Sequence, residues 1–104
     1  MFMDTKSRIL DIAMNLNRVG NWAADDFFGK REKIKTFIKN TSFYIKGLDK
    51  NSLPNDFAST FNKFLKEYAF LEKEGLKTPK NPTYWAEDMM TWGNILTHRS
   101  KFLI

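Results

Sequence analysis

Apolar residues in this chain return every three or four positions over four separate stretches, and no other feature restricts its folding as strongly. From about Asp4 to Phe28, the residues Ile9, Ile12, Leu16, Val19, Ala23 and Phe27 fall on one stripe of a 3.6-residue helix. Ile34, Ile38, Thr41, Ile45 and Leu48 form a second stripe between about Lys30 and Gly47, with Phe37 and Tyr44 alongside. Phe57, Phe61, Phe64, Leu65, Tyr68 and Leu71 line a third, from about Pro54 to Glu74. A fourth begins at Asn81 and carries Trp85, Met89, Trp92, Leu96 and Leu103. No stretch alternates with the period of two that a half-buried strand requires.

The residues between the stripes are helix punctuation. Asp4 suits an N-cap, where its carboxylate also meets the positive end of the helix dipole. Gly29 is the expected stop of the first helix, and Gly75, with Pro79 beyond it, the expected cap of the third. The turn from Leu48 ends in Pro54, which is tolerated only at a helix start, and Asn81-Pro82 reads as N-cap followed by proline at the first helical position. Gly20 lies inside the first stripe, as a bend or as a close helix contact. Short connections between such helices favour neighbours packed side by side. The expectation is an all-α fold, an antiparallel up-down-up-down four-helix bundle forming a single domain over residues 1–104. Its first and last helices then touch, which puts Trp22 near Tyr84 and Trp85.

A hydrophobic content of 42% with 28% charged residues is that of a globular chain, and excludes a disordered or fibrous one. No apolar run approaches the roughly 18 residues needed to span a bilayer. The opening MFMDTKSR lacks the apolar core of a signal peptide, so cytoplasmic residence is expected, and the absence of cysteine agrees with it. The formal net charge of +5 favours encounter with anions, whether nucleic acid or acidic protein. An AT-rich genome would produce much of the same Lys, Asn, Phe and Ile enrichment.

Residue types alone remove most catalytic signatures. Without cysteine there is neither a thiol nucleophile nor a thiolate zinc site. His98 is the single histidine, and Ile95 stands three before it, so neither a zincin helix nor a Glu-x-x-His di-iron motif is present. Glycine-rich phosphate loops are missing. The pairs Asp25-Asp26 and Glu87-Asp88 diverge by about 100° on a helix, which suits a solvated surface better than an acid–base dyad. Ser100 points away from His98, and no Arg lies four to seven residues before that histidine, as small helical RNA-cutting domains require. His98 and Arg99 complement the negative end of the last helix. Catalysis or small-ligand binding would need a pocket that gathers His98, Arg99 or the acidic pairs across helices. No metal or cofactor is expected.

Two surfaces stand out. Leu10, Met14 and Phe28 lie on a second face of the first helix, while Phe43 and Phe70 lie opposite their own stripes, and Phe70 stands among Lys63, Lys66 and Lys73, a mixture suited to a protein partner or to base stacking. Contiguous apolar exposure marks interfaces, so Leu10, Met14, Phe28 and Phe70 are the candidate contacts for a protein partner or a second copy. Asn17 and Asn21 give that face a polar seam, suited to pairing with another helix or simply to water. Arg31, Lys35, Lys39 and Lys46 form a basic stripe on the second helix, suited to a phosphate backbone or to solvation. The expected function is a non-enzymatic helical protein-interaction module, self-associating or heterologous. A small nucleic-acid-binding protein using the basic stripe is the alternative.

The stretches Asn15-Leu-Asn-Arg-Val-Gly-Asn-Trp22 and Tyr84-Trp-Ala-Glu-Asp-Met-Met-Thr-Trp-Gly-Asn-Ile-Leu-Thr-His-Arg99 resemble small uncharacterised cyanobacterial helical proteins. The resemblance implies a bacterial cytoplasmic origin. It implies no activity and no functional residues.

Overall fold

The computed structural model describes residues 4–103, which form four helices and no strand. They are α1 (Thr5–Asp26), α2 (Arg31–Lys46), α3 (Asn55–Leu76) and α4 (Pro82–Arg99), with 3-10 turns at Lys50–Ser52 and Ser100–Phe102. The helices pack as an antiparallel up-down-up-down bundle in which α1 touches α2 and α4, α3 touches the same two, and α1 and α3 stand diagonally. The apolar stripes supply the core. Ile9, Ile12, Leu16, Ile34, Ile38, Phe57, Phe61, Phe64, Met89 and Leu96 are all buried.

The two side-chain N-caps form where the sequence places them, whereas α1 ends at Asp26 and caps at Phe27, before the expected stop at Gly29. The Asp4 carboxylate accepts from the Ser7 N–H at 2.7 Å, and this bond holds its pKa below the ordinary carboxylate value. Asn81 Oδ1 accepts from the Tyr84 N–H at 3.1 Å, with Pro82 opening α4. Gly75 is a correction. It is buried inside α3, which continues to Leu76 and caps at Lys77. A Cβ there would lie 2.6 Å from Ile38 Cδ1 and would also strike the Trp85 ring, so the glycine makes room for the indole. That indole donates from Nε1 to the Leu71 carbonyl at 2.9 Å.

The closest helix pair is α1–α4, and small residues make it so. A Cβ on Gly20 would sit 2.9 Å from the Ala86 carbonyl oxygen, and one on Gly93 would sit 2.9 Å from that of Ala13. Ala13 and Gly20 on one helix thus oppose Gly93 and Ala86 on the other, and the two backbones approach within reach of each other. Gly20 marks a close contact. Asn17 belongs to the same seam, its Oδ1 2.7 Å from the position a Gly93 Cβ would take, so its helix partner is α4 of the same chain.

Large rings hold α3 further off. Phe57, Phe61, Phe64 and Tyr68 stack along it with successive centroids 5.9, 5.6 and 5.4 Å apart, and Trp92 of α4 meets Phe64 at 5.6 Å. Toward α2, the Tyr68 hydroxyl donates to the Ile38 carbonyl at 3.1 Å and lies 2.9 Å from Ser42 Oγ, which in turn donates to the Glu72 carboxylate. At the other side of α2, Trp22 packs edge-on against Phe37 at 4.9 Å, with Lys33 Nζ 4.8 Å from the indole centroid. The ring that meets Trp85 is Phe27, at 5.8 Å, which corrects the expected cluster of Trp22 with Tyr84 and Trp85. Trp22 leans toward α2 because it lies on the side of the α1 stripe away from the α4 seam.

Candidate functional site

The side chains expected to meet a partner are distributed over several faces. Met14 is 46% exposed on α1 with Leu10 half-buried a turn before it, and Phe28 and Phe70 are exposed at 63% and 69%. Because α1 and α3 are diagonal, one flat interface cannot take Leu10, Met14 and Phe70 together. Phe28 and Phe70 are linked through Arg31. Its guanidinium lies 5.7 Å from the Phe28 centroid, and its Nη2 donates to Thr78 Oγ1 at 3.4 Å. Thr78 lines an open groove with Phe70, Lys73, Glu74, Lys77 and Lys80.

The basic stripe of α2 is only partly free. Arg31 is half-buried, held by Phe28 and Thr78, with its Nε buried and without a hydrogen-bond partner. Lys35 is half-buried as well, which leaves Lys39 and Lys46 as the exposed members.

A second stripe, on α3, is exposed throughout. Lys63, Lys66, Phe70 and Lys73 follow one another at steps of three and four, so they share the face of α3 opposite its aromatic core, and the exposed Lys77 follows at the C-cap. Between Lys63 and Lys73 the stripe runs about 15 Å along the helix at 1.5 Å per residue. Glu67 and Glu74 flank it. The spacing was present in the sequence, and Phe70 among lysines was one piece of it. Lys63, Lys66 and Lys73 are legible around Phe70 from sequence; that they form an exposed row ending at Lys77 follows only once the buried side of the helix is known.

Lys63 also lines a groove of about 470 Å³ between α3 and α4, together with Thr60, Trp92, Asn94, Ile95, His98 and Arg99. The groove follows from the fold, since the aromatic ladder keeps α3 at a distance from α4 while glycines draw α1 in. His98 and Arg99 therefore converge with a lysine from another helix. The acidic pairs do not join them. Asp25 forms an ion pair with Lys30 at 2.6 Å, which holds its carboxyl below the usual range, and Asp26 accepts from the Gly29 N–H at 3.0 Å. Glu87 and Asp88 are exposed on α4. The groove offers cations and a ring face to a ligand, and no carboxylate lines it.

Among the described residues, no group of three His, Asp or Glu side chains is placed to hold a metal ion, and no helix is long and apolar enough to cross a membrane. Comparison with models of protein families, with curated proteins and with solved structures gave no match.

Proposed function

We propose that this protein is a non-enzymatic helical binding module whose α3 face holds a single strand of nucleic acid. The observation that carries this reading is the exposed row Lys63, Lys66, Phe70, Lys73 and Lys77. Lysines spaced along a helix neutralise successive phosphates, and an exposed ring among them gives a base something to stack on. A protein interface is a poorer fit to this face, because the buried centre of such interfaces is depleted in lysine. The overall charge of +5 acts in the same direction, drawing a polyanion toward the molecule. The nucleic-acid reading thus moves from α2, where Arg31 and Lys35 are half-buried, to α3, where every lysine of the row is exposed.

Fluorescence anisotropy with a short labelled single strand, titrated over a range of salt, tests it. Each phosphate contact should contribute about 0.7 to the slope of log affinity against log salt. Lys66→Gln and Lys73→Gln should each flatten that slope by about this amount. Phe70→Ala should cost about 1–3 kcal/mol, the value of one base stack, and leave the slope unchanged. The same exchange at Lys35 and Lys39 reads the α2 stripe, and should have the smaller effect. Salt-independent binding, no binding, or equal affinity across the α3 variants would refute the proposal.

A further inference from the structure

We infer that the groove between α3 and α4 is a binding pocket for a nucleoside phosphate, with the base against Trp92 and the phosphate among Lys63, His98 and Arg99. Three features carry it. The groove has a volume of about 470 Å³, within the range of about 300–1,000 Å³ typical of small-ligand sites. Every charged side chain in its lining is basic, and Lys63 and Arg99 form no ion pair among the described residues, so their charge is free for an anion, with the His98 ring nitrogens adding hydrogen-bonding groups beside them. The Trp92 indole is backed by the buried Phe64 ring, 5.6 Å away at 57°, which fixes its plane while its open part lines the groove. A held aromatic plane beside convergent cations suits a ligand that is flat at one end and anionic at the other. The two basic residues of α4 also offset the negative end of its dipole, so an anion is received by side chains and not by the helix carbonyls. Asn94 adds a donor and an acceptor at the rim, within reach of a base edge or a sugar hydroxyl.

This pocket extends the reading of α3 as a nucleic-acid face and shares only Lys63 with it. Its ligand is either a free nucleotide or the phosphorylated end of a strand. Tryptophan fluorescence, with AMP, inorganic phosphate and short strands with and without a 5′-phosphate as probes, separates these cases. AMP should quench the emission saturably, and Trp92→Phe should remove that quenching while retaining affinity through the smaller ring, as read by calorimetry. Trp92→Ala and Arg99→Gln should each weaken AMP by about tenfold or more, the scale of one lost base stack or one charge-assisted bond. Arg99 is exposed, so its variant keeps the test valid should Trp92→Ala fail to fold. A 5′-phosphate that tightens strand binding identifies the strand end as the ligand, and one without effect identifies the free nucleotide. Lys73→Gln and Lys77→Gln should weaken strands without altering AMP, so loss of the α3 reading and loss of the pocket are told apart. AMP affinity indifferent to both Trp92→Ala and Arg99→Gln, or inorganic phosphate binding as tightly as AMP, overturns the inference.

Discussion

At the scale of single residues, the glycines of the α1–α4 seam decide more than their helix propensity suggests. Alanine is favoured over glycine by about 1 kcal/mol in an exposed helix interior, and on that ground alone Gly20→Ala and Gly93→Ala would be stabilising; both positions, however, are buried. Here each new methyl meets a carbonyl oxygen of the facing helix at 2.9 Å, and a backbone atom cannot step aside as a side chain can. Overpacking of this kind costs about 1–3 kcal/mol, which exceeds the propensity gain. Both substitutions should therefore lower the denaturant midpoint, and a raised midpoint would show that the helices are free to separate. From sequence, Gly20 was open between a bend and a contact, and Gly93 gave no signal. A glycine's role in a helix is set by what faces it, and nothing local encodes that. The same blindness explains Gly75, whose cap-like position conceals a berth for Trp85.

At the scale of elements, the helices themselves were legible because each apolar stripe is long and bounded by Pro, Gly or a capping side chain. The stripe residues are buried in all four helices except Leu65 and Trp92, which are half-buried, Trp92 opening onto the groove; the small buried residues Ala13, Ala86 and Gly93 lie outside the stripes. What joins one helix to another was less legible, since Trp22 choosing Phe37 over Trp85 depends on the rotation of α1 about its axis. The α2–α3 joint has a consequence for pH. Burial is the main reason the Tyr68 phenol is pushed above its ordinary value, with the nearby Glu72 carboxylate adding to the shift and the Ser42 bond opposing it. In the unfolded chain this phenol ionises near pH 10, so the stability it contributes is complete below that value and is lost as pH rises past it. One proton corresponds to at most about 1.4 kcal/mol per pH unit. Tyr68→Phe should remove that component of the alkaline loss, measured as denaturation midpoints on either side of pH 10. An identical alkaline slope in the variant would contradict the buried phenol.

At the scale of the whole molecule, the surface divides its labour. The α3 face is basic and ringed, whereas Leu10 and Met14 offer a small apolar spot on the far side of the bundle. Only the individual residues of this division were readable in the sequence. The helices' order around the bundle, which separates Met14 from Phe70 and unites Lys63 with His98 and Arg99, is a property of packing. If the apolar spot serves self-association, Met14→Lys should abolish any concentration-dependent rise in mass by light scattering. Strand affinity should be unchanged by it. A molecule monomeric at all concentrations would remove Leu10 and Met14 as a contact between copies.

The glycine seam also bears on how the chain reaches its native state. Ala13 and Gly93 meet across about 80 intervening residues, so the closest pairing in the bundle is also among the most distant along the polypeptide. A nascent chain can form its early helices, yet α1 must wait, one flank uncovered, until α4 emerges to close the circle. Assembly of this protein should accordingly be slower than that of a bundle whose tightest partners are sequence neighbours.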